Sequence, residues 1–164
     1  MINRFRGPYA FLSNFYPVPI TYDGDQYLSV EAAYQASKSL SPVHREAVRD
    51  CSTDFLATKR LGQLSSSEPG MLASGFPLRP GWGESLQLDI MRSLVRQKFN
   101  NYPDLRALLL QTWPEDIVEG NSWGDAFFGV CNGEGANHLG HILMEVRAEL
   151  IGENPRPAVN STAV

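Results

Sequence analysis

The stretch Ser29-Val30-Glu31-Ala32-Ala33-Tyr34-Gln35-Ala36-Ser37-Lys38 decides how this chain is read. Serine side chains cap helices by accepting a hydrogen bond from a backbone N–H one turn on, so Ser29 predicts a helix starting near Val30. Glu31, Tyr34, Gln35 and Lys38 follow at spacings of three and four, which puts all four on one helix face. That face is polar with one aromatic and is not a core stripe. It has two readings. Together with the amide-bearing turn Ser13-Asn14-Phe15 it could line a pocket, or it could be the solvated side of an amphipathic helix.

Upstream, aromatic and turn residues alternate from Phe5 through Tyr9, Phe11, Phe15 and Tyr16 to Pro17 and Pro19. This predicts short strands and turns, with a hairpin around Tyr22-Asp23-Gly24-Asp25. Downstream, Ser41-Pro42 opens a second helix running to about Arg49, with proline in its first turn. A third helix follows Ser52-Thr53-Asp54 and ends at Gly62. Residues 63–81 are rich in Ser, Gly and Pro and read as a long loop without regular structure. A helix resumes around Trp82, with Leu86, Ile90, Leu94, Val95 and Phe99 as its apolar stripe. Pro103-Asp104 opens another, from Leu105 to Thr112. Residues 115–119 are a candidate strand, 120–137 a glycine-rich shaped loop, and Ala136 to Ile151 a last helix.

The class expected is mainly α with a few short β-strands near the N-terminus (α+β). It is a compact single-domain fold over residues 1–153, with a disordered tail over 154–164. At 164 residues, 43% hydrophobic and 20% charged, the chain has the bulk of an ordinary globular domain. A net charge of −4 argues against a broad nucleic-acid-binding face but leaves room for one nucleotide held by a few local cations. The two cysteines form no CxxC pair, and His44, His138 and His141 are too scattered for a zinc site, so no metal and no cofactor are expected. No apolar run approaches a membrane span and no signal-peptide core is present, so the cytoplasm is the expected location and no membrane partner is expected.

Val118-Glu119-Gly120-Asn121-Ser122-Trp123-Gly124-Asp125-Ala126-Phe127-Phe128-Gly129 mixes acids, amides, aromatics and glycines, and Gly133-Glu134-Gly135-Ala136-Asn137 leads into the last helix. Glycines before a helix let backbone N–H groups approach an anion, so a phosphate or ribose cradle is one reading and a ligand-free turn the other. The pattern is neither a P-loop nor a Rossmann fingerprint.

These segments, in order, resemble the NADAR (YbiA-like) family. Tyr9-Ala10-Phe11-Leu12-Ser13-Asn14-Phe15-Tyr16-Pro17 is similar to its opening motif, and the Ser29–Lys38 stretch to its S-x-E-H-x-[FY]-Q-A-x-K helix. Lys59-Arg60-Leu61-Gly62 follows its K-x-L-G element. Leu78-Arg79-Pro80-Gly81-Trp82 resembles L-R-x-D-W, and Met91 with Lys98-Phe99 fits M-x6-K-F. Val118-Glu119, Asp125, Phe128-Gly129, Gly133, Gly135, Asn137, Leu139-Gly140 and Leu143 to Arg147 match the C-terminal signature. The resemblance covers about residues 5–150. Four positions depart from it: Ala32 stands where the family has histidine, Gly81 for aspartate, Leu86 for lysine and Phe128 for tryptophan.

The resemblance implies a mainly helical YbiA-like fold and an N-glycosidase. Its substrates are ribosylamino-pyrimidine phosphates of the riboflavin route, or ADP-ribose attached to guanine in nucleic acid. The family's important glutamate, tryptophan and aspartate fall on Glu31, Trp82 and Asp125. Cleaving an N-glycosidic bond places positive charge on the ribose and negative charge on the departing base, so two acids with separate roles are expected. Glu31 handles the proton, Asp125 orients water or stabilises the oxocarbenium, and the two roles are interchangeable at this level. Trp82 stacks on base or sugar. Ser13, Asn14, Tyr34, Gln35, Lys38, Lys59, Arg79, Phe128, Gly129, Gly133, Gly135 and Asn137 are the expected binding residues. Lys38 or Lys59 would hold phosphate or attack the opened ribose. The implied partner is a nucleotide-like small molecule or ADP-ribosylated nucleic acid, and an antitoxin role with a toxin partner fits the same motifs. The alternative is a non-catalytic module that binds ADP-ribose or NAD. The oligomeric state is open.

Overall fold

The computed structural model describes residues 1–153, so the expected tail over 154–164 lies outside the described residues. The chain divides into two units, Phe5–Asn101 and Met1–Arg4 with the chain from Tyr102 onward.

The Phe5–Asn101 unit begins with a 3-10 helix, Gly7–Leu12, and a hairpin of β1 (Ile20–Tyr22) and β2 (Asp25–Tyr27). The hairpin is antiparallel, with Ile20 opposite Tyr27 and Tyr22 opposite Asp25. Its two turn residues, Asp23 and Gly24, both have positive φ, as a tight two-residue hairpin turn requires. Four helices follow: α1 (Val30–Ser37), α2 (Pro42–Asp50), α3 (Phe55–Leu61) and α4 (Glu84–Asn101). Each of the first three is capped by the residue the sequence offers for it. Ser29 Oγ accepts from the Ala32 N–H at 3.0 Å, Ser41 Oγ from His44 at 3.4 Å and Asp54 Oδ1 from Ala57 at 3.0 Å.

Helix α1 is the centre of this unit. It packs against α2, α3, α4 and both hairpin strands, and every residue from Val30 to Ser37 is buried. The reading of its polar side as a solvated face is thereby corrected: Glu31, Tyr34 and Gln35 are buried against other protein groups, and Lys38 is half-buried at the helix end. Ala32 is fully enclosed. Arg45 and Arg49 of α2 reach the hairpin carboxylates Asp23 at 2.9 Å and Asp25 at 2.6 Å, tying α2 to the turn. The apolar stripe of α4 is buried at Ile90, Leu94, Val95 and Phe99, joined by Met91, while Leu86 is half-exposed near the helix start. Burying one such side chain stabilises by about 1.5–3 kcal/mol.

Two boundaries differ from the sequence reading. The helix begins at Glu84 and leaves Trp82 in the preceding turn. Residues 63–81 are more structured than expected. Leu64 bridges Leu72, Met71 bridges Pro77, and the Leu72 side chain is buried, which anchors the loop to the core.

The other unit holds α5 (Pro103–Gln111), α6 (His138–Glu153) and a two-residue parallel pair, β3 (Gly120–Asn121) with β4 (Val130–Cys131). The candidate strand at 115–119 reduces to a single bridge between Ile117 and Ile2, and the paired strand starts one residue later at Gly120. Strands are therefore not confined to the N-terminal region. The last helix begins at His138, two residues after its expected start. Buried Arg147 of α6 donates from Nη1 to Thr112 O at 3.1 Å, Thr112 Oγ1 at 2.9 Å and Glu115 O at 2.8 Å, which satisfies the C-terminal end of α5. The fold is mainly α with few short strands, as the sequence predicts. Among the described residues no helix is long and apolar enough to cross a membrane.

Candidate active site

In the Phe5–Asn101 unit, a polar cluster forms along α1. Glu31 is 7% exposed and Gln35 5%. One helical turn apart, they meet directly: Gln35 Nε2 donates to Glu31 Oε1 at 2.6 Å. The Glu31 backbone N–H donates to the Asn14 carbonyl at 2.9 Å, which fixes the Ser13–Phe15 turn against the start of the helix. Asn14 Nδ2 points to Met91 Sδ at 3.4 Å. The Ser13 hydroxyl accepts from the Phe15 N–H at 3.1 Å, and its carbonyl accepts from Lys98 Nζ at 2.8 Å.

At the end of α1, Lys38 Nζ donates to the Gly62 carbonyl at 2.8 Å and lies 5.3 Å from the centre of the Tyr34 ring. Burial pushes its ammonium down to about 8. Nearby Glu31 opposes that shift and nearby Lys59 adds to it. Tyr34 donates its hydroxyl to Gln87 Oε1 at 3.3 Å, and its ring lies 5.8 Å from that of Trp82, tilted by 49°. Lys59 stands over the Phe55 ring at 5.0 Å and the Phe15 ring at 5.9 Å, and those two rings meet edge to face at 3.9 Å.

Arg79 lies against the C-terminal end of α1. Its Nη1 donates to Tyr22 Oη at 2.8 Å and to the Ser37 carbonyl at 3.3 Å, and its backbone N–H donates to the Lys38 carbonyl at 2.8 Å. It secures the C-terminal end of α1 to the hairpin. A cleft of about 130 Å³ opens beside the Phe15–Phe55 pair, with Ser29, Ser52, Thr53 and Thr58 among its walls.

In the other unit, Asp125 organises its own loop. Its Oδ1 accepts from the Phe127 and Phe128 N–H groups at 3.0 and 2.9 Å, the local turn that aspartate side chains favour. Asn121 braces it, with Oδ1 accepting from the Asp125 N–H at 3.2 Å and Nδ2 donating to the Asp125 carbonyl at 2.7 Å and to Glu119 Oε2 at 3.1 Å. Asn137 holds the strand entry: Oδ1 accepts from the Glu119 N–H at 2.9 Å and Nδ2 donates to the Ile117 carbonyl at 3.0 Å. Gly129 has no room for a side chain, because a Cβ there would overlap the Glu119 carboxylate. Gly133 and Gly135 lie in the exposed turn that follows. The N–H groups of Ala136, Asn137, His138 and Leu139 donate to the carbonyls of Ala126, Gly129, Phe127 and Phe128. The Gly129 carbonyl and the N–H groups at the start of α6 thus take part in the loop's own hydrogen bonds.

The expected residues therefore separate by unit. Ser13, Asn14, Glu31, Tyr34, Gln35, Lys38 and Trp82 are joined by the contacts described on α1. Lys59 adjoins through Phe15 and its coupling to Lys38. Asp125, Phe128, Gly129 and Asn137 form the second group. Sequence reasoning gave no role to Gly62, Gln87 or Lys98, which contact the first. Lys98 carried a signal: it occupies a core position of the α4 stripe, is 1% exposed, and burial pushes its ammonium down to about 7.

The pattern of the NADAR domain matches residues 3–151. The N-glycosidase YbiA of Shigella boydii is 39% identical over 143 residues, covering 87% of this chain and 82% of that protein. The chloroplastic riboflavin biosynthesis protein PYRR of Zea mays is 32% identical over 92% of this chain, which spans 25% of that longer protein. The NMR structure of the E. coli protein YbiA aligns with a TM-score of 0.76 at 34% identity, covering 98% of this chain and 91% of that one. A match that runs nearly from end to end, in sequence and in backbone, carries the conclusion: the chain belongs to the NADAR domain family.

Proposed function

We propose that this protein is an N-glycosidase that hydrolyses the bond between ribose and a base, and that Glu31 is its principal catalytic group. The observation that carries this reading is the enclosed Glu31 carboxylate, held by Gln35 at 2.6 Å and electrostatically coupled to Lys38. Burial works against a charged carboxylate, and the hydrogen bond and the nearby cation work for it. Glu31 then serves as base. It takes a proton from the water whose oxygen adds to the anomeric carbon as the bond to the base breaks, and its negative charge offsets the charge developing on the ribose.

The departing nitrogen needs a proton or a cation. Lys38, drawn down to about 8, is mostly protonated at neutral pH and still close enough to titration to give its proton up. Trp82 and Tyr34 offer aromatic surface for base or sugar. The proposed substrates are a ribosylamino-pyrimidine phosphate or ADP-ribosyl-guanine. The names of the relatives, N-glycosidase and riboflavin biosynthesis protein, support the first.

The test incubates the protein with each substrate in ¹⁸O-labelled water and analyses the products by mass spectrometry. Release of the free base with one ¹⁸O on the ribose fragment is the expected result. Saturable binding with no base released from either substrate would establish the non-catalytic binding module instead.

A further inference from the structure

We infer that Gly62 is a positioning residue for Glu31, acting through the carboxamide of Gln35; this rests on the reading of Glu31 as the catalytic carboxylate. A glycine just after a helix is ordinarily explained by a left-handed backbone. That explanation fails here. Gly62 caps α3 with φ −98° and ψ 6°, a conformation open to residues with side chains. What excludes a side chain is space. A Cβ at Gly62 would overlap Gln35 Oε1 and lie 2.9 Å from Gln35 Cδ and 3.1 Å from Gln35 Cβ. The bare Cα of Gly62 is the surface against which the Gln35 carboxamide rests.

Three further observations tie this contact to the site. Gln35 Oε1 is buried and has no hydrogen-bond partner, while Nε2 on the same group donates to Glu31. Leaving an acceptor unsatisfied is costly, so the side chain is held by packing and by its bond to Glu31. The Gly62 carbonyl accepts from Lys38 Nζ. One residue therefore touches two groups tied to Glu31: it seats Gln35 with its Cα and anchors Lys38 with its oxygen. The close approach of α3 to α1 that this permits turns the amide nitrogen, not the oxygen, toward the carboxylate.

Charged or titratable side chains come to this region from each helix packed on α1. Lys38 of α1 is coupled to Glu31, and Lys59 of α3 to Lys38. His44 of α2 is also coupled to Lys38, and Lys98 of α4 holds the Ser13 carbonyl. The hairpin carboxylates Asp23 and Asp25 are paired with Arg45 and Arg49. Because Gly62 also anchors Lys38, the double variant, in which the Gln35 carboxamide is already absent, separates an effect carried through Gln35 from one carried through Lys38.

The experiment titrates ¹³C-glutamate-labelled protein by NMR, with the Glu31 signal identified by its loss in Glu31→Gln. It compares the natural protein, Gly62→Ala, Gln35→Ala and the double variant. Gly62→Ala is expected to raise the Glu31 midpoint by about one pH unit, the scale of one lost hydrogen bond to a charged group. Gln35→Ala is expected to do the same, and the double variant to match Gln35→Ala. The double variant also removes the clashes with Oε1 and Cδ and leaves only the 3.1 Å approach to the Cβ at 35, so it is expected to fold even if Gly62→Ala alone does not. An unmoved midpoint in Gly62→Ala, or a double variant whose shift is the sum of the two single shifts, overturns the inference. The acid limb of kcat/KM is expected to move with the midpoint. Absence of turnover in the natural protein, with the midpoints shifting as stated, counts against the proposed reaction and leaves the role of Gly62 standing.

Discussion

Gln35 and Glu31 share a 2.6 Å hydrogen bond between two enclosed side chains on one helix face. The amide can donate to the carboxylate without competing for its charge. Replacing Gln35 with glutamate sets two carboxyl groups at that distance, and the pair cannot both ionise. Gln35→Glu is expected to lower kcat/KM at neutral pH by about 10²-fold, the low end for disabling a general acid or base. A pH–rate profile on the active substrate checks this, and an unchanged neutral rate would count against an ionised Glu31.

Lys38 gives the reaction an alkaline limit. Burial lowers its ammonium to about 8, so the proton is lost as pH rises through that value. The rate is expected to fall above about pH 8, and Lys38→Met is expected to be slow at every pH and to lack that limb. A natural profile that stays flat to pH 10 would remove Lys38 from the mechanism.

Trp82 lies in the turn before α4, with its ring near Tyr34. If the two rings carry base or sugar, Trp82→Ala loses about 1–3 kcal/mol of stacking. The expected signature is a raised KM with kcat changed far less, read from steady-state kinetics. A fall in kcat at unchanged KM would assign Trp82 to the chemical step.

Lys98 makes stability depend on pH. Its folded value of about 7 lies below its ordinary 10.5. Between those values the unfolded chain holds a proton that the folded protein has released, so stability rises with pH across that window. Denaturant unfolding at pH 7 and at pH 10 is expected to show a smaller rise in Lys98→Met than in the natural protein. An equal rise in both would show that the amine stays charged in the core.

Asp125 is accessible to the conservative comparison of asparagine with alanine. Asparagine keeps an oxygen for the Phe127 and Phe128 N–H groups, and alanine does not. Asp125→Ala is expected to speed hydrogen exchange at those two amides, and Asp125→Asn to leave them protected. Rapid exchange in both variants would mean that charge, not the turn, holds the loop.

Much of this was legible in the sequence because it is local. Ser29, Ser41 and Asp54 mark helix starts by chemistry confined to one turn, and Asp23-Gly24 names its own hairpin. The burial of α1 was not legible. Polar residues at helical spacing look the same whether they face water or other protein groups. The groups that enclose them come from far along the chain: Gly62 lies 24 positions from Lys38, and Gln87 lies 53 from Tyr34. Gly62 illustrates the limit. Its motif was visible, but its reason, a collision with Gln35, exists only once α1 and α3 are packed. The internal partners of the Ala136, Asn137, His138 and Leu139 N–H groups, which lie in the loop upstream, were likewise not legible from spacing.

The central claim is that Glu31 performs the chemistry. The most direct measurement is kcat for release of the base by Glu31→Gln, on the substrate that the natural protein cleaves, with folding verified by circular dichroism. The account predicts a folded variant slowed by about 10²–10⁴-fold. A folded variant that releases the base at the natural rate would contradict it.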